Sequence, residues 1–551
     1  MVDLEASHRG QGQHQDQLPE IFIETGTGSQ TAKPFLARAR LDSKPRHPSP
    51  TFAPHRGHLF DRIPTVIGPH PIVKLWEAKL EGRDKTICEM MTAIIQEGSP
   101  SAIVVLRNGF VYAPDEEQYP TIHLFVREDT MTMDQAAKMA SKAANYIFQF
   151  EPLRDLSVEV LEGTFGHHTS STTELRSLSY YHSFEQSFKD TLTPGVGLGL
   201  SDRSDGTATL GCYIKLVLRP KTCPEGQAPK EETVWFALTA HHALSVLNTK
   251  QQTGATLTAE EEYELQRFNA NTRLTGFDPH LGTVYCASGH SSSICSPGQL
   301  WPSSTILHDW GLVKLHPKRA QGLGQMTSGL TFPEISEFKN IIGSVQKTRY
   351  LQPHNGISPI DELKQGLGAQ GSIERMAFKI GSTTGPTCGA INDIDARVFG
   401  SHTYNQEQDT CELSGSTILL VSPLGSKSSC YSGACFGAPG DSGSMVYDYQ
   451  GRYLACYWGG QFKVGPRNPF PSSADGIHFA QRIDTIFDGI EEMIHNDPAY
   501  EGYEKELVFF PKASMSHMGM EEISYLPKWI IRLLEGVSSL GGFFFSFRNG
   551  L

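Results

Sequence analysis

The sequence lacks the features that define several classes of protein. It has no run of about 18 uncharged apolar residues, the length that a membrane-spanning helix needs. Its first residues show no basic segment followed by an apolar one, so we expect no secretory leader. The 551 residues include 47 Lys and Arg against 60 Asp and Glu, a net charge of −13. Because phosphate binding needs a basic surface, this balance disfavours nucleic acid as a partner.

The spacing of the ten cysteines forms no CxxC pair and no zinc-ligand pattern. We therefore expect mostly free, buried thiols and a reducing, cytoplasmic setting. Two adjacent histidines, His167 and His168, stand in a Ser/Thr-rich stretch without further ligands beside them, and we interpret them as solvent-facing. No pattern in the sequence requires a metal or another cofactor.

What the sequence does contain is turn-forming residues, with 53 Gly and 33 Pro. Residues 1–65 have a polar composition without periodicity, which predicts a disordered arm. Helix and strand patterns predict a small α+β domain over 70–165, followed by a linker over 166–190. Short apolar segments separated by glycine turns predict a mainly β domain of sandwich or barrel type over 191–495. The tail, 496–551, includes an amphipathic segment that we expect to pack on the body, with membrane-surface contact as the lesser alternative.

One short stretch suggests chemistry: FGAPGDSGSMV at 436–446 places Ser442 between glycines. Closely spaced glycines indicate a sharp turn or a close approach of the backbone. An ordinary Asx turn explains the same four residues. A catalytic serine would need a base and an acid from elsewhere in the chain.

Two other segments offer that base and that acid. The apolar segment VWFALTA ends in His241 and His242, where a histidine either faces a cleft or packs at the end of the strand. Asp309 opens the apolar segment DWGLVKL. A buried aspartate needs a hydrogen-bond donor, and a histidine N–H is such a donor.

The order His, Asp, Ser in the contexts LTAHHAL, DWGLVKL and GDSGSMV resembles that of the chymotrypsin/trypsin-like serine peptidases. YLACYWGGQ is similar to the family's Ser-Trp-Gly strand beside the substrate, and KIGSTTGPTCG resembles a pattern of its disulfide-poor members. The resemblance covers about residues 190–490. It implies a chymotrypsin-like double β-barrel and a serine endopeptidase that acts on protein or peptide substrates through an acyl-enzyme.

The resemblance also implies a role for each matching residue. His242 would be the general base, with His241 as the fallback, and Asp309 would orient the imidazole. Ser442 would attack the scissile carbonyl. The backbone N–H groups of Gly440 and Ser442 would form the oxyanion hole, and glycine at 440 would permit the turn that exposes the serine.

The substrate-binding residues implied by the resemblance are Phe436, Trp458 and Gly459. Phe436 stands where trypsins carry an aspartate at the pocket base, so we do not expect cleavage after Lys or Arg. Trp458 and Gly459 would flank the substrate backbone. For His478 a place on the back wall of the pocket and a place in the core remain as alternatives.

The sequence departs from the family in two ways. Ala243 and Ala438 stand where secreted members have cysteines, so the usual disulfide frame is missing. The new amino terminus that activates trypsins, where it pairs with the aspartate matching Asp441, has no obvious counterpart, and the sequence predicts no partner for that residue. The alternative function is therefore a catalytically silent peptidase fold that binds or scaffolds. The complete His-Asp-Ser set favours the enzyme. The sequence predicts no oligomeric state.

Overall fold

The structure is a computed structural model of the chain. The residues that it describes are 20–25, 36–41, 62–80, 82–110, 119–127, 129–163, 165–167, 194–200, 208–222, 230–241, 255–256, 281–288, 291–294, 305–321, 323, 357–358, 360–365, 375–399, 414–421, 436–438, 440–448, 452–461 and 476–510.

The described strands and helices are numbered here in chain order. The strands are β1 Phe22–Thr25, β2 Ala37–Arg40, β3 Arg62–Thr65, β4 Pro100–Phe110, β5 Tyr119–Val126, β6 Ser157–Glu162, β7 Phe165–His167, β8 Gly197–Leu200, β9 Ala208–Thr209, β10 Cys212–Pro220, β11 Glu232–Thr239, β12 Ala255–Thr256, β13 Gly282–Ala287, β14 Ser291–Ile294, β15 Thr305–His308, β16 Gly311–Leu315, β17 Met376–Gly381, β18 Gly385–Ile391, β19 Ala396–Phe399, β20 Ser414–Val421, β21 Met445–Tyr447, β22 Tyr453–Gln461, β23 Ile477–Arg482 and β24 Tyr503–Phe510. The helices are α1 Pro71–Leu75, α2 Ile87–Ile95, α3 Met133–Ile147, α4 Pro317–Ala320, α5 Ile360–Gln365 and α6 Ile483–His495.

Six strands close into an antiparallel barrel in the carboxyl-terminal half. The ring runs β17, β18, β20, β23, β22, β21 and back to β17. Its interior holds apolar side chains from alternate positions, among them Ile391, Leu420, Val446 and Ala480. The helix α6 follows β23 directly and packs its buried face on β22 and β23.

A second antiparallel sheet lies beside this barrel, in the order β13, β16, β11, β10, β24. The two share a core in which Trp310 and Phe236 meet side chains of the barrel and of α6. The fold is therefore mainly β with a closed barrel, consistent with the predicted chymotrypsin-like architecture. The sequence prediction ended the body near residue 495, but β24 pairs along β10. The segment YEKELVFF carries alternating charged residues because one face of β24 is exposed to solvent, and its composition alone does not indicate a strand.

The amino-terminal residues form an α+β layer with strand order β1, β2, β6, β5, β4. The helices α2 and α3 begin with the capping boxes of Thr86 with Glu89 and Thr132 with Gln135. Between residues 70 and 165 the structure contains both helices and strands, in the order α1, α2, β4, β5, α3, β6, as expected for an α+β region. The layer is joined to the barrel, since β4 pairs with β19 and β19 with β20.

The predicted disordered arm contains three strands, β1, β2 and β3. This differs from the expectation because β2 has the sequence ARAR, which gives no apolar alternation. Its arginines are buried and are neutralised across the sheet. Arg38 lies 2.6 Å from Glu159, and Arg40 pairs with Glu24. Local composition does not show such distant partners.

None of the helices among the described residues combines the length and hydrophobicity that a bilayer crossing requires. The predicted amphipathic segment of the tail lies outside the described residues, as does most of the predicted linker.

Candidate active site

The predicted nucleophile, Ser442, lies in a tight turn between Gly440 and Gly443. Both glycines have positive φ, +99° and +92°, a backbone conformation that a side chain disfavours. The turn is closed by Ser444 N–H, which donates to Asp441 O at 3.0 Å. The glycines of this motif therefore have the conformational reason that the sequence suggested.

Ser442 is fully buried, which differs from the exposed serine that the sequence predicted. Its hydroxyl donates to Trp458 O at 3.0 Å, and its carbonyl accepts from Thr209 N–H at 2.6 Å. The reason for the burial is that the turn is held between β9 and β22. An attack on a carbonyl requires the hydroxyl to rotate from Trp458 O toward a base.

The carboxyl end of β11 meets the same turn. A side-chain carbon at Gly443 would lie 2.4 Å from Thr239 Oγ1 and 2.9 Å from Ala240 N. Thr239 Oγ1 also donates to Thr209 O at 2.9 Å. The strand that leads into the histidine pair therefore ends against the serine turn.

Of the two histidines after β11, the structure describes His241 and not His242. His241 is partly buried, directly after β11. His242, the predicted base, lies outside the described residues. The assignment of the base to His242 rather than His241 therefore stays a prediction.

Asp309 lies two residues before the start of β16. Strand β16 pairs with the end of β11, where Gly311 lies opposite Thr239. Asp309 is 1% exposed. Asp309 N–H donates to Gln481 Oε1 at 2.7 Å, and Gln481 lies opposite Cys456 in the pairing of β23 with β22, so the backbone of Asp309 lies near β22. Asp309 and Ser442 thus approach the same strand, next to the end of β11.

Gln481 on β23 fixes the backbone of this aspartate. Its Oε1 accepts from Asp309 N–H at 2.7 Å, and its Nε2 lies 3.0 Å from His308 Nδ1. Burial lowers the pKa of His308, and a neutral imidazole nitrogen can accept from the amide. The sequence analysis did not identify Gln481, because no local motif marks it.

The motif KIGSTTGPTCG forms the hairpin of β17 and β18. Gly381 pairs with Gly385 across a three-residue loop, and Gly385 has φ +66°, as this loop length favours. The hairpin bonds to the segment before the nucleophile. Ser382 Oγ donates to Gly440 O at 2.8 Å, and Thr387 Oγ1 donates to Phe436 O at 2.6 Å.

The carboxylate of Asp441 is enclosed by the same hairpin. Oδ1 accepts from the N–H groups of Thr383 at 2.9 Å and Thr384 at 3.1 Å. Oδ2 accepts from Lys379 Nζ at 2.8 Å, Thr384 Oγ1 at 2.6 Å and Ala438 N–H at 3.0 Å. The partner of Asp441 that the sequence left open is therefore Lys379, together with the hairpin loop.

Lys379 and Asp441 are both fully buried. Lys379 Nζ also lies 5.4 Å from the ring centroids of Phe436 and Tyr457, within range of cation–π attraction. Burial acts to raise the pKa of Asp441, but the ammonium group and the hydrogen bonds outweigh it and hold that pKa below its usual range. The pair is charged and its hydrogen bonds are satisfied.

Phe436, the predicted pocket base, is fully buried in the barrel core. Its ring centroid lies 5.9 Å from that of Tyr457 and 5.7 Å from that of His478. His478 Nδ1 lies 3.2 Å from the Tyr457 hydroxyl. The core alternative for His478 is confirmed, while a role of Phe436 in substrate selection stays a prediction.

Trp458 and Gly459, the predicted substrate-binding residues, lie on β22 and are covered. Strand β7 pairs antiparallel with β22, with His167 opposite Gly459 and Phe165 opposite Gln461. This is the edge along which the resemblance places a substrate backbone. The histidine pair that we interpreted as solvent-facing in a linker thus begins within a strand, and His168 lies outside the described residues.

Phe165 anchors β7 at one end. It is buried, and its ring centroid lies 4.7 Å from that of Phe125 in the amino-terminal layer and 5.2 Å from that of Phe479 in the barrel. Trp458 stacks on the other side of the cluster, 5.4 Å from Phe479. Its indole N–H donates to Thr417 Oγ1 at 3.0 Å. The strand β7, which covers this edge of β22, is therefore built into a core between the amino-terminal layer and the barrel.

The described cysteines are free thiols: Cys88, Cys212, Cys286, Cys388 and Cys456. Burial raises the pKa of Cys388 to about 12, so this thiol is protonated and inert at neutral pH. Among the described residues no cluster of three or more His, Cys, Asp or Glu side chains could hold a metal ion.

Comparisons with known proteins add little to this description. No model of a protein family matches the sequence, and no curated protein matches it. One solved structure that it is similar to is the active form of the Rv3671c protease from M. tuberculosis, at 11% identity, over 52% of this chain and 82% of that one, with a TM-score of 0.21. A TM-score this low supports no statement about the site, and the fold given above rests on the strand pairing itself.

Proposed function

We propose that the protein is a serine endopeptidase of the chymotrypsin/trypsin-like family, with Ser442 as nucleophile, Asp309 as the orienting acid and His242 as the base. The observation that carries the proposal is convergence. Ser442 donates to Trp458 O on β22, Asp309 N–H is bound by Gln481, which lies opposite Cys456 of the same strand, and β11, which leads to the histidines, ends against Gly443. Three segments far apart in sequence thus lie against β22 or the turn beside it, and this supports the proposal.

The chemistry of this arrangement follows from its parts. The histidine would take the hydroxyl proton as Ser442 attacks the substrate carbonyl, and would then donate it to the leaving amine. Asp309, buried and fixed by Gln481, would stabilise the imidazolium. The N–H groups of Gly440 and Ser442 would stabilise the oxyanion, and one such donor contributes about 10²–10³ in kcat in measured cases.

The alternative, a silent fold that binds or scaffolds, also has an observation in its favour. Ser442 is buried, and the edge at Gly459 is paired with the chain's own β7. A peptide that pairs with β22 must first displace this strand. The alternative is nevertheless the weaker one, because the turn is maintained by a fully buried ion pair, whose desolvation is costly, and a scaffold does not need it.

The test is cleavage of a diverse peptide library by the purified full chain. We expect measurable cleavage by the wild type, none by Ser442→Ala, and a loss of about 10⁴ in kcat for Asp309→Asn. Ser444→Ala is the matched control, because it removes another buried hydroxyl from the same turn, and it should retain cleavage. Equal cleavage by wild type and Ser442→Ala, or none by a well-folded wild type, would reject the proposal.

A further inference from the structure

The aspartate before the nucleophile lies in a position from which it controls the turn. Asp441 stands between Gly440 and Ser442, whose N–H groups form the proposed oxyanion hole. A side-chain carbon at Gly381 would lie 2.1 Å from Asp441 Oδ1, so glycine at this position makes room for the carboxylate. Displacement of the Asp441 carboxylate would break the hydrogen bonds that tie residue 441 to the hairpin loop and to Ala438 N–H, and would release the backbone between Gly440 and Ser442.

The fully buried carboxylate needs a positive charge to remain ionised. In trypsins a new chain terminus supplies it, and the sequence shows no such terminus. In this chain the nearest described cation is Lys379 Nζ, 2.8 Å away and fully buried. The lysine belongs to a barrel strand, and the loop that follows it supplies two backbone N–H groups and a hydroxyl to the same carboxylate.

We propose that Lys379 is the positioning residue that holds the Ser442 turn in its working shape, so that this shape requires no newly cut chain terminus. The inference rests on the proposed function for its consequence, the rate of catalysis. Its structural content, that Lys379 orders the turn, does not depend on activity. The positive charge that the turn needs is therefore a permanent part of the barrel, and no cleavage of the chain has to supply it.

The alternative is that the ion pair of Lys379 with Asp441 stabilises the fold without shaping the turn. The chain offers a matched control for this alternative. Lys364 on α5 pairs with Asp395, and their side chains are 14% and 23% exposed. Lys364→Met removes an ion-paired lysine from the same half of the molecule. It leaves the hairpin and the turn untouched.

The experiment compares Lys379→Met with Lys364→Met in the full chain, well below both unfolding temperatures. We expect Lys379→Met to lower kcat by about 10²–10³, the effect of losing an oxyanion donor, and to leave KM within about threefold, because substrate contacts are unchanged. Lys364→Met should leave both constants near the wild-type values. Equal kcat in the two variants would overturn the proposal.

An unpaired buried carboxylate is strongly destabilising, so Lys379→Met risks misfolding. The double variant Lys379→Met with Asp441→Asn removes both charges and serves as the second test. It should fold and show the same loss of kcat. Wild-type kcat in the double variant would overturn the proposal.

Hydrogen exchange gives a measurement that does not need turnover. The peptide covering residues 436–448 should exchange faster in Lys379→Met than in Lys364→Met. Unchanged exchange contradicts the proposal even in a protein without activity. A wild type that neither cleaves peptides nor reacts with a fluorophosphonate would reject the proposed function, while the exchange result would still decide the role of Lys379.

Discussion

The serine turn and the strand edge beside it are neighbours, yet different forces hold them. The carboxylate of the turn accepts five hydrogen bonds, one of them from the buried ammonium group of Lys379, and the turn is also bound by Thr209 N–H of β9. The edge at Gly459 is covered by a three-residue strand, β7, through backbone pairing and one aromatic anchor, Phe165. Under the proposed function, the first region shapes the nucleophile and the second covers the edge along which a substrate would lie.

The difference separates two properties, the shape of the turn and access to the strand edge. Under the proposals made above, the shape of the turn depends on Lys379, and access depends on Phe165 and its strand. A substitution in one region should therefore change the rate of catalysis, and a substitution in the other should change the apparent affinity for peptides.

The largest effect is expected from crowding the turn. Gly381→Ala places a methyl group 2.1 Å from Asp441 Oδ1, so the carboxylate must move, and we expect a loss of about 10²–10³ in kcat. The overpacking itself should cost about 1–3 kcal/mol of stability, measured by urea unfolding. Gly502→Ala is the control, since nothing lies within 4 Å of its added carbon. Gly381→Ala with wild-type kcat would contradict the account of the turn.

The second largest effect is expected from acid, which should weaken the turn. The folded-state pKa of Asp441 is lowered, so its pairing contributes stability at pH values above the unfolded pKa of about 3.9. That contribution is lost as the pH falls below this value and through the folded pKa. We expect the stability difference between the wild type and the double variant Lys379→Met with Asp441→Asn to shrink between pH 5 and pH 2. The measurement is urea unfolding at each pH.

A difference that stays constant over this pH range would mean that the charged pair does not contribute as the geometry indicates.

A smaller, opposite effect is expected at the strand edge. Phe165→Leu weakens the contacts of β7 with Phe125 and Phe479 and should make displacement of the strand by a peptide easier. We expect KM for peptides to fall several-fold with kcat nearly unchanged, because the turn keeps its ion pair. Phe148→Leu is the control, a buried phenylalanine in the core of the amino-terminal layer. A fall in kcat without a change in KM would contradict the assignment of Phe165 to substrate access.

The smallest effect is expected from reductant. The described cysteines are free, and neither the turn nor the edge depends on a disulfide in the described structure. Addition of dithiothreitol should leave the Tm of the full chain unchanged within about one degree. A native disulfide contributes about 2–4 kcal/mol, so a fall of several degrees would show that the cysteines outside the described residues form one.

The sequence predicted those parts of the site whose signal is local. Ser442 stands in a glycine turn, and Asp309 lies two residues before the apolar strand β16. Both motifs are a few residues long and reflect a conformation that only certain residues adopt. Short apolar segments and regular turns predicted a sandwich or a barrel, and the resemblance to the chymotrypsin/trypsin-like family implied the barrel.

The parts that the sequence missed depend on contacts between distant segments. Lys379 and Asp441 are 62 positions apart, and the motif around the lysine does not indicate which residue it pairs with. The pairing of β7 with β22 joins segments almost 300 positions apart, and three residues are too few to show a period. The buried Arg38 of β2 was assigned to a disordered arm because its partner, Glu159, lies in another strand.

The central claim is that Ser442 is an activated nucleophile, and the most direct test is covalent labelling. The purified full chain is treated with a fluorophosphonate, and the modified residue is located by mass spectrometry of its peptides. The account predicts one adduct, on Ser442, that is absent in Ser442→Ala and retained in Ser444→Ala. An adduct on another serine, or a folded wild-type protein that forms none, would contradict it.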